Sequence, residues 1–365
     1  MAVLGVSSIT PAFPVIIEDL GISTQSIGLL ITVFTLPGIF LTPVLGALAD
    51  RFGRKRILVP SMILFGLAGG ACALVRDFQC LLVLRFFQGV GAASLGSLNI
   101  TIVGDLFSGN ERTTAMGYNA SVLSVGTASY PAIGGVLATA GWHYPFFLPL
   151  AAVPLGLWVL FSLKNPEPEK EQDFKQYLHS AWKSIKKRQV VVLLIAISFT
   201  FVILYGSYLT YFPLLLSHKF KATPLVIGLL MSVMSLTTAV TSSQLGKLAK
   251  TFTKKNLIKA AYVLYGAALV IFPFIPSLWL LLIPTILFGL AHGVNIPSLQ
   301  TRLAELAPMK YRAAFMSVNG MVLRLGQTLG PVLMGLVYVG WGIEGAICAG
   351  AGFSAAALLL LVFVE

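Results

Sequence analysis

Three ionisable side chains stand inside long apolar runs of this sequence: Arg85, His292 and Arg324. A charge in hydrocarbon is costly, so each is by default a functional hypothesis. Arginine offers a fixed cation with a planar fork of donors for an anionic group. Histidine titrates near neutral pH and can carry a proton. Gln88, Asn119, Tyr130, Tyr208, Asn295 and Gln327 are polar companions that could line the same path. The first half of the chain has no Asp or Glu in mid-run; the nearest are Glu18 and Asp19. His292 is therefore the first candidate proton carrier, and Glu18 or Asp19 paired with Arg85 the second. Arg302 and Glu305, at i and i+3, are expected to form a local ion pair. These residue types allow binding and proton handling rather than bond-making. No Gly-x-Ser-x-Gly elbow, Walker loop or His/Cys cluster occurs, and Cys72, Cys80 and Cys348 lack Cys-x-x-Cys spacing. The expectation is a protein that is not an enzyme and has no metal or cofactor.

The elements that must position these residues are membrane spans. Of 365 residues, 57% are apolar and 10% charged, with a mean hydropathy of +0.88. Soluble domains are about 25% charged, so the solvent over most of this surface must be lipid. Twelve apolar runs fit spans of ~20 residues: 1–18, 25–49, 57–75, 80–104, 114–140, 145–163, 190–217, 225–248, 257–275, 278–303, 313–338 and 343–364. Counted along these helices, Arg85 lies ~8 Å into span four, Arg324 ~16 Å into span eleven and His292 ~21 Å into span ten. The last two are near mid-depth.

The net charge of +12 reports topology. With the first span crossing outward, nineteen of the 25 Lys and Arg fall in inward-facing loops and three in outward ones. This bias places the basic loops and both termini in the cytoplasm and leaves no nucleic-acid footprint. Met1 opens into span one without a basic n-region, which argues against a cleaved signal peptide. That span is short, ~17 residues or ~25 Å, so residues upstream of Met1 are expected. The long polar stretch 164–189 divides the spans six and six. In it Phe174, Tyr177, Leu178, Ala181, Trp182 and Ile185 form one apolar stripe beside Lys175, Lys183, Lys186, Lys187 and Arg188. Such a helix would lie on the anionic leaflet as a tether between the halves or as a regulatory arm.

A gapless shift of 200 residues aligns the halves. It pairs Ile27-Gly28-Leu29-Leu30 with Ile227-Gly228-Leu229-Leu230, and Gly46 with Gly246, Gly89 with Gly289, Asn119 with Asn319 and Pro131 with Pro331. Six spans per half make the repeat parallel, with a substrate site expected between the halves near mid-bilayer. The organisation is then an N-terminal bundle (1–163), a cytoplasmic linker (164–189) and a C-terminal bundle (190–365).

The turn after span two reads Gly46-Ala47-Leu48-Ala49-Asp50-Arg51-Phe52-Gly53-Arg54-Lys55-Arg56. It resembles the signature loop of the major facilitator superfamily. Arg85-Phe86-Phe87-Gln88-Gly89-Val90-Gly91 in span four resembles that family's second motif, and the resemblance covers essentially the whole chain. It implies an all-helical fold of two pseudo-symmetric six-helix bundles that work by alternating access. It also implies a conformational latch, built on Gly46, Asp50, Arg51, Gly53, Arg54 and Asp105, that holds the outward-facing state. The second-half copy has Lys250 where Asp50 stands, so the latch is expected to rest on the first half.

Span five carries Gly126, Pro131, Gly134 and Gly135, and span eleven Gly326, Gly330, Pro331 and Gly335. Glycines at this spacing let helices touch backbone to backbone, and proline bends them. The pattern is similar to one found in proton-coupled exporters of the family, with Tyr130 in place of a glycine. The resemblance thus implies efflux of amphipathic, drug-like molecules across an inner membrane by proton antiport, as in the twelve-span multidrug branch. A carrier of an organic anion or metabolite, such as a siderophore or sugar acid, is the alternative, motivated by Arg85 and Arg324. A small-molecule substrate, protons and lipid are the expected partners, and a monomer the expected state.

Overall fold

The computed structural model describes residues 3–163, 186–308 and 312–364. Asp50, Thr113, Arg312, Ala313, Ala314 and Val364 are described by backbone alone. The expected amphipathic linker helix lies outside the described residues. Among those described, ten helices are long and apolar enough to cross a bilayer. We number the passes in chain order. α1 is a broken run (Leu4–Ser7, Thr10–Ala12, Phe13–Leu20), too short to count among the ten. Next come α2 (Leu29–Phe52), α3 (Arg54–Cys72), α4 (Phe78–Ala92, continuing as Leu95–Leu106), α5 (Gly109–Ala140) and α6 (Tyr144–Ala151, then Ala152–Ser162). The second half holds α7 (Arg188–Val202, Ile203–Tyr211, Phe212–Phe220), α8 (Pro224–Thr251), α9 (Lys254–Ile271) and α10 (Leu282–Leu306).

The last helical stretch, Arg312–Val364, contains two passes. Gly342 breaks it with φ 67°, a left-handed setting that suits glycine. A straight helix would set Gly330 and Gly350 about 30 Å apart. Yet Gly330 packs on Gly206 and Gly350 on Ser207, adjacent residues of α7. The chain therefore doubles back at Gly342, and we call its arms α11 and α12.

The 200-residue repeat is visible in contacts as well as in sequence. α2 runs along α11, and its mate α8 runs along α5. A methyl group on Gly28 would come within 2.9 Å of Pro331. Its mate Gly228 faces Pro131, the mate of Pro331, even more closely. Gly89 seats α4 on the Phe34 carbonyl, and Gly289 seats α10 on the Met234 carbonyl. Arg54 pairs with Asp105 between α3 and α4, as Lys254 pairs with Glu305 between α9 and α10. The last pairing gives Glu305 a partner that the sequence did not single out, Lys254 on the neighbouring pass.

Lipid offers no hydrophobic drive for helices to associate, so close backbone packing has to hold them. That is the work of these glycines. One element departs from ordinary helix. Ile203–Tyr211 in α7 winds as a wide π-helix with all nine residues buried, and the Thr210 hydroxyl reaches back five residues to the Tyr205 carbonyl at 2.7 Å. Wide turns of this kind occur often at functional sites.

Candidate functional site

The halves meet at the end away from the basic loops. Four side-chain hydrogen bonds join described residues across the divide. Thr32 donates to the Thr328 carbonyl (3.1 Å), the Thr35 and Thr328 hydroxyls pair (2.8 Å), the Ala132 N–H donates to Ser232 (3.0 Å), and Thr10 donates to the Met231 sulfur (3.8 Å). Towards the basic end the two seams part. There, among the described residues, no hydrogen bond, ion pair or close glycine contact joins the halves. On α5, Gly117, Tyr118, Ala120, Ser121, Val122 and Leu123 are exposed, and Asn119 among them is half-buried against Asn99 of α4, within the same half. The space between the halves opens towards the basic loops and is closed at the other end.

Arg324 stands at the ceiling of that space. It is half-buried and packs on Gly38 of α2, where a methyl group would touch its Nε at 3.0 Å. Its Nη1 donates to Gln327 Oε1 at 3.2 Å, and Tyr205 lies against the pair. Thr328 donates to the Arg324 carbonyl (2.8 Å) while holding Thr35 across the seam. Among the described residues no carboxylate pairs with this guanidinium. Thr35 and Thr328 were not among the sequence-predicted pathway residues. The i, i+3 threonines of α2, Thr32 and Thr35, were the available signal.

Arg85 lies elsewhere. It is wholly buried inside the first half. Ile9 turns its N–H to the Val6 carbonyl where α1 breaks, and the Gly5 carbonyl accepts from Arg85 Nη1 at 2.8 Å. Nε donates to the Leu30 carbonyl (3.0 Å) and Nη1 also to Gln88 (2.6 Å), with the Phe34 ring 4.2 Å from the guanidinium carbon. One cation thus fastens α1, α2 and α4. Neither Glu18 nor Asp19 reaches it: Asp19 accepts instead from the Trp142 indole at 2.5 Å. The two arginines therefore do not share a site.

The second half holds a third polar group. His292 Nδ1 and the Tyr265 hydroxyl are 2.6 Å apart. Asn295 donates to Thr200 (2.8 Å), which pairs with Tyr262 (2.8 Å). Tyr208 is stacked between Phe212 and Phe288, its hydroxyl without a hydrogen-bond partner among the described residues, and Phe288 also abuts Tyr265. His292, Asn295 and Tyr208 thus belong to one aromatic cluster with Tyr262, Tyr265 and Thr200, residues the sequence did not single out. Asn119 is paired with Asn99 at 2.7 Å towards the open end.

The glycine motifs serve different neighbours. Gly134 lies on the Ser8 carbonyl of α1, and Gly135 meets Pro224, Leu225 and Gly228 of α8. Gly326 and Gly330 seat α11 on α7 at Ser198, Val202 and Gly206. Tyr130, in the place of a glycine, folds its hydroxyl back over Gly126. The α5–α8 seam therefore closes tightly despite the tyrosine. In the signature loop Gly53 turns the chain at φ 96° and Arg51 stacks by Phe52. A methyl group on Gly46 would meet no other packed element within 4 Å among the described residues, and Arg54 and Asp105 join helices within the first half.

Two stretches of the chain, 1–221 and 212–365, match the model of the Major Facilitator Superfamily. The chain belongs to that family. It is therefore a secondary transporter rather than an enzyme. It is 27% identical over 346 residues to "Multidrug resistance protein 2" of Bacillus subtilis, covering 93% of this chain and 86% of the relative. It is also 27% identical to the "Bacillibactin exporter" of the same organism, over 90% of this chain and 85% of that one. Among solved structures, an inward-facing bacterial homologue of the human lysosomal transporter Spinster superposes with a TM-score of 0.79 at 18% identity, covering 100% of this chain and 93% of that one.

Proposed function

We propose that this superfamily member exports amphipathic small molecules from the cytoplasm in exchange for protons. The observation that carries the reading is the space between the halves. It opens at the basic end, is closed at the other by two Gly–Pro seams, and is bordered by apolar side chains with one cation at its ceiling. The positive-inside rule puts the open end in the cytoplasm of an inner membrane, and the resemblance to multidrug exporters supplies the direction. Alternating access then asks little of the closed end. Few hydrogen bonds cross it, each with a net worth of about 1 kcal/mol, so the bundles can rock apart there without breaking a large network. In the opposite state Asp50 and its neighbours in the signature loop would close the basic end. The N-terminal bundle, linker and C-terminal bundle, divided near residues 163 and 190, are the rocking units of this scheme.

Arg324 favours a second reading, a carrier for organic anions. It is a cation at the ceiling of the open space with no carboxylate partner among the described residues. The deciding experiment uses purified chain in liposomes that enclose a pH-sensitive dye, with a panel of lipophilic drugs and organic anions. Drug-dependent proton movement supports the exporter. Saturable anion flux without proton movement, lost in Arg324→Ala, replaces it with the anion carrier.

A further inference from the structure

At the basic end of the first half, outside the space between the halves, a groove of ≈ 430 Å³ lies between α3 and α6, lined by Lys55, Arg56, Val59, Pro60 and Leu160. Its two cations stand on the first turn of a 19-residue helix, where the helix dipole adds further positive potential. Lys55 Nζ donates to the Leu163 carbonyl at the end of α6, 3.1 Å away. The lysine thus bridges the mouth of the groove and still has two N–H groups to offer. Arg56 is exposed and has no hydrogen bond or ion pair among the described residues. Among the described residues no carboxylate lines the groove.

The remaining walls are apolar and lead away from the cations. Leu157, Leu160 and Phe161 lie on one face of α6, and Phe161 is 84% exposed. Pro60 has no N–H to return to the Arg56 carbonyl, which loosens the helix at this point. The groove therefore has positive charge at headgroup depth and hydrocarbon surface immediately below it. A zwitterionic headgroup brings its own cation to such a rim; an anionic one does not. We infer that this groove is a binding site for one anionic phospholipid, its phosphate between Lys55 and Arg56 and an acyl chain along Val59, Pro60 and Leu160. The second half lacks an equivalent pair, because Asn256 is the repeat mate of Arg56. The bound lipid would tie α3 to α6 beside the Gly53 turn.

The test is native mass spectrometry of the full chain in detergent, incubated with equal amounts of phosphatidylglycerol and phosphatidylcholine. The unaltered protein should retain one phosphatidylglycerol in preference to phosphatidylcholine. At roughly fivefold for each interfacial cation, Arg56→Gln should cut that preference about fivefold. Lys55→Gln with Arg56→Gln should cut it about thirtyfold. Lys247→Gln with Lys250→Gln on α8 should leave it unchanged. Leu160→Trp, which fills the groove and keeps both cations, should also displace the lipid and covers the case in which the double variant fails to fold. Undiminished retention in the double variant overturns the site. Equal loss in the α8 control reduces it to diffuse charge and overturns it too. Displacement by millimolar inorganic phosphate would make it a site for a free anion and overturn the lipid assignment. Lipid retention is read without transport, so failure of the export reading leaves this result standing.

Discussion

The closed seam at Gly228 invites a single-methyl test. A Cβ there would stand 3.0 Å from the Pro131 carbonyl carbon and 3.2 Å from Gly135 Cα, closer still to the Pro131 oxygen. All three atoms belong to the backbone of α5, so no flexible side chain can yield, and the helices must part by several tenths of an ångström along the seam. Overpacking of this kind costs about 1–3 kcal/mol. The cost falls only on the state in which the seam is closed. At 1.4 kcal/mol per tenfold, a penalty of about 2 kcal/mol moves the population roughly thirtyfold towards the state open at the other end. Spin labels at Tyr118→Cys on α5 and Ser243→Cys on α8, in a background free of Cys72, Cys80 and Cys348, report the gap at the basic end by electron–electron distance measurement. Gly228→Ala should add a short-distance population. Gly246→Ala, on the same helix with no atom within 4 Å of its Cβ, should leave the distribution as it was. Identical distributions for both variants would refute the claim that this contact sets the state.

Three further outcomes can be checked alongside it. Asp50→Asn should abolish transport in proteoliposomes while leaving expression and detergent-extracted yield intact; near-normal flux would remove the latch from the mechanism. Arg324→Ala should depress transport of anionic cargo at least tenfold more than that of cationic dyes, and equal losses would point to a packing role for the Gly38 contact. His143, in the loop before α6, has its imidazole held below the ordinary 6.5, first by burial and then by the nearby Arg76. Its contribution to stability is therefore complete above that value and is lost as the pH falls from there through the lowered value of the folded state. His143→Phe should flatten this part of the acid limb in a thermal-melt series.

The sequence reading succeeded where the signal was length, charge count or translation along the chain. Spans, basic end and repeat all follow from such one-dimensional features. The repeat even contained the Lys254–Glu305 pair, since shifting Arg54 and Asp105 by 200 residues lands on it. A local i, i+3 preference for Arg302 hid that partner. Which polar residues meet was much harder to read. A helix that is apolar all round has no amphipathic stripe to show which face turns inward. Arg85 and Arg324 consequently looked alike in sequence, although one is sealed in the first bundle and the other reaches the open space. The partners of Arg85 were less legible still, because two are backbone carbonyls and one of those, at Gly5, lies beside the break in α1. Tyr208 was proposed for the pathway on residue type, and its stacking between Phe212 and Phe288 depends on the π-helical winding of α7, which no residue pattern announced.

The far-end closure has an electrical consequence. Gly28 against Pro331 and Gly228 against Pro131 bring main chain to within a methyl's width of main chain, without a charged side chain in either contact. Such a barrier insulates by excluding water rather than by opposing charge. It should hold back sodium, chloride and hydronium alike and be indifferent to ionic strength. A membrane that stores energy as an ion gradient needs a plug of this sort in every carrier it houses, since a leak through the resting protein would discharge the gradient whether or not cargo is present.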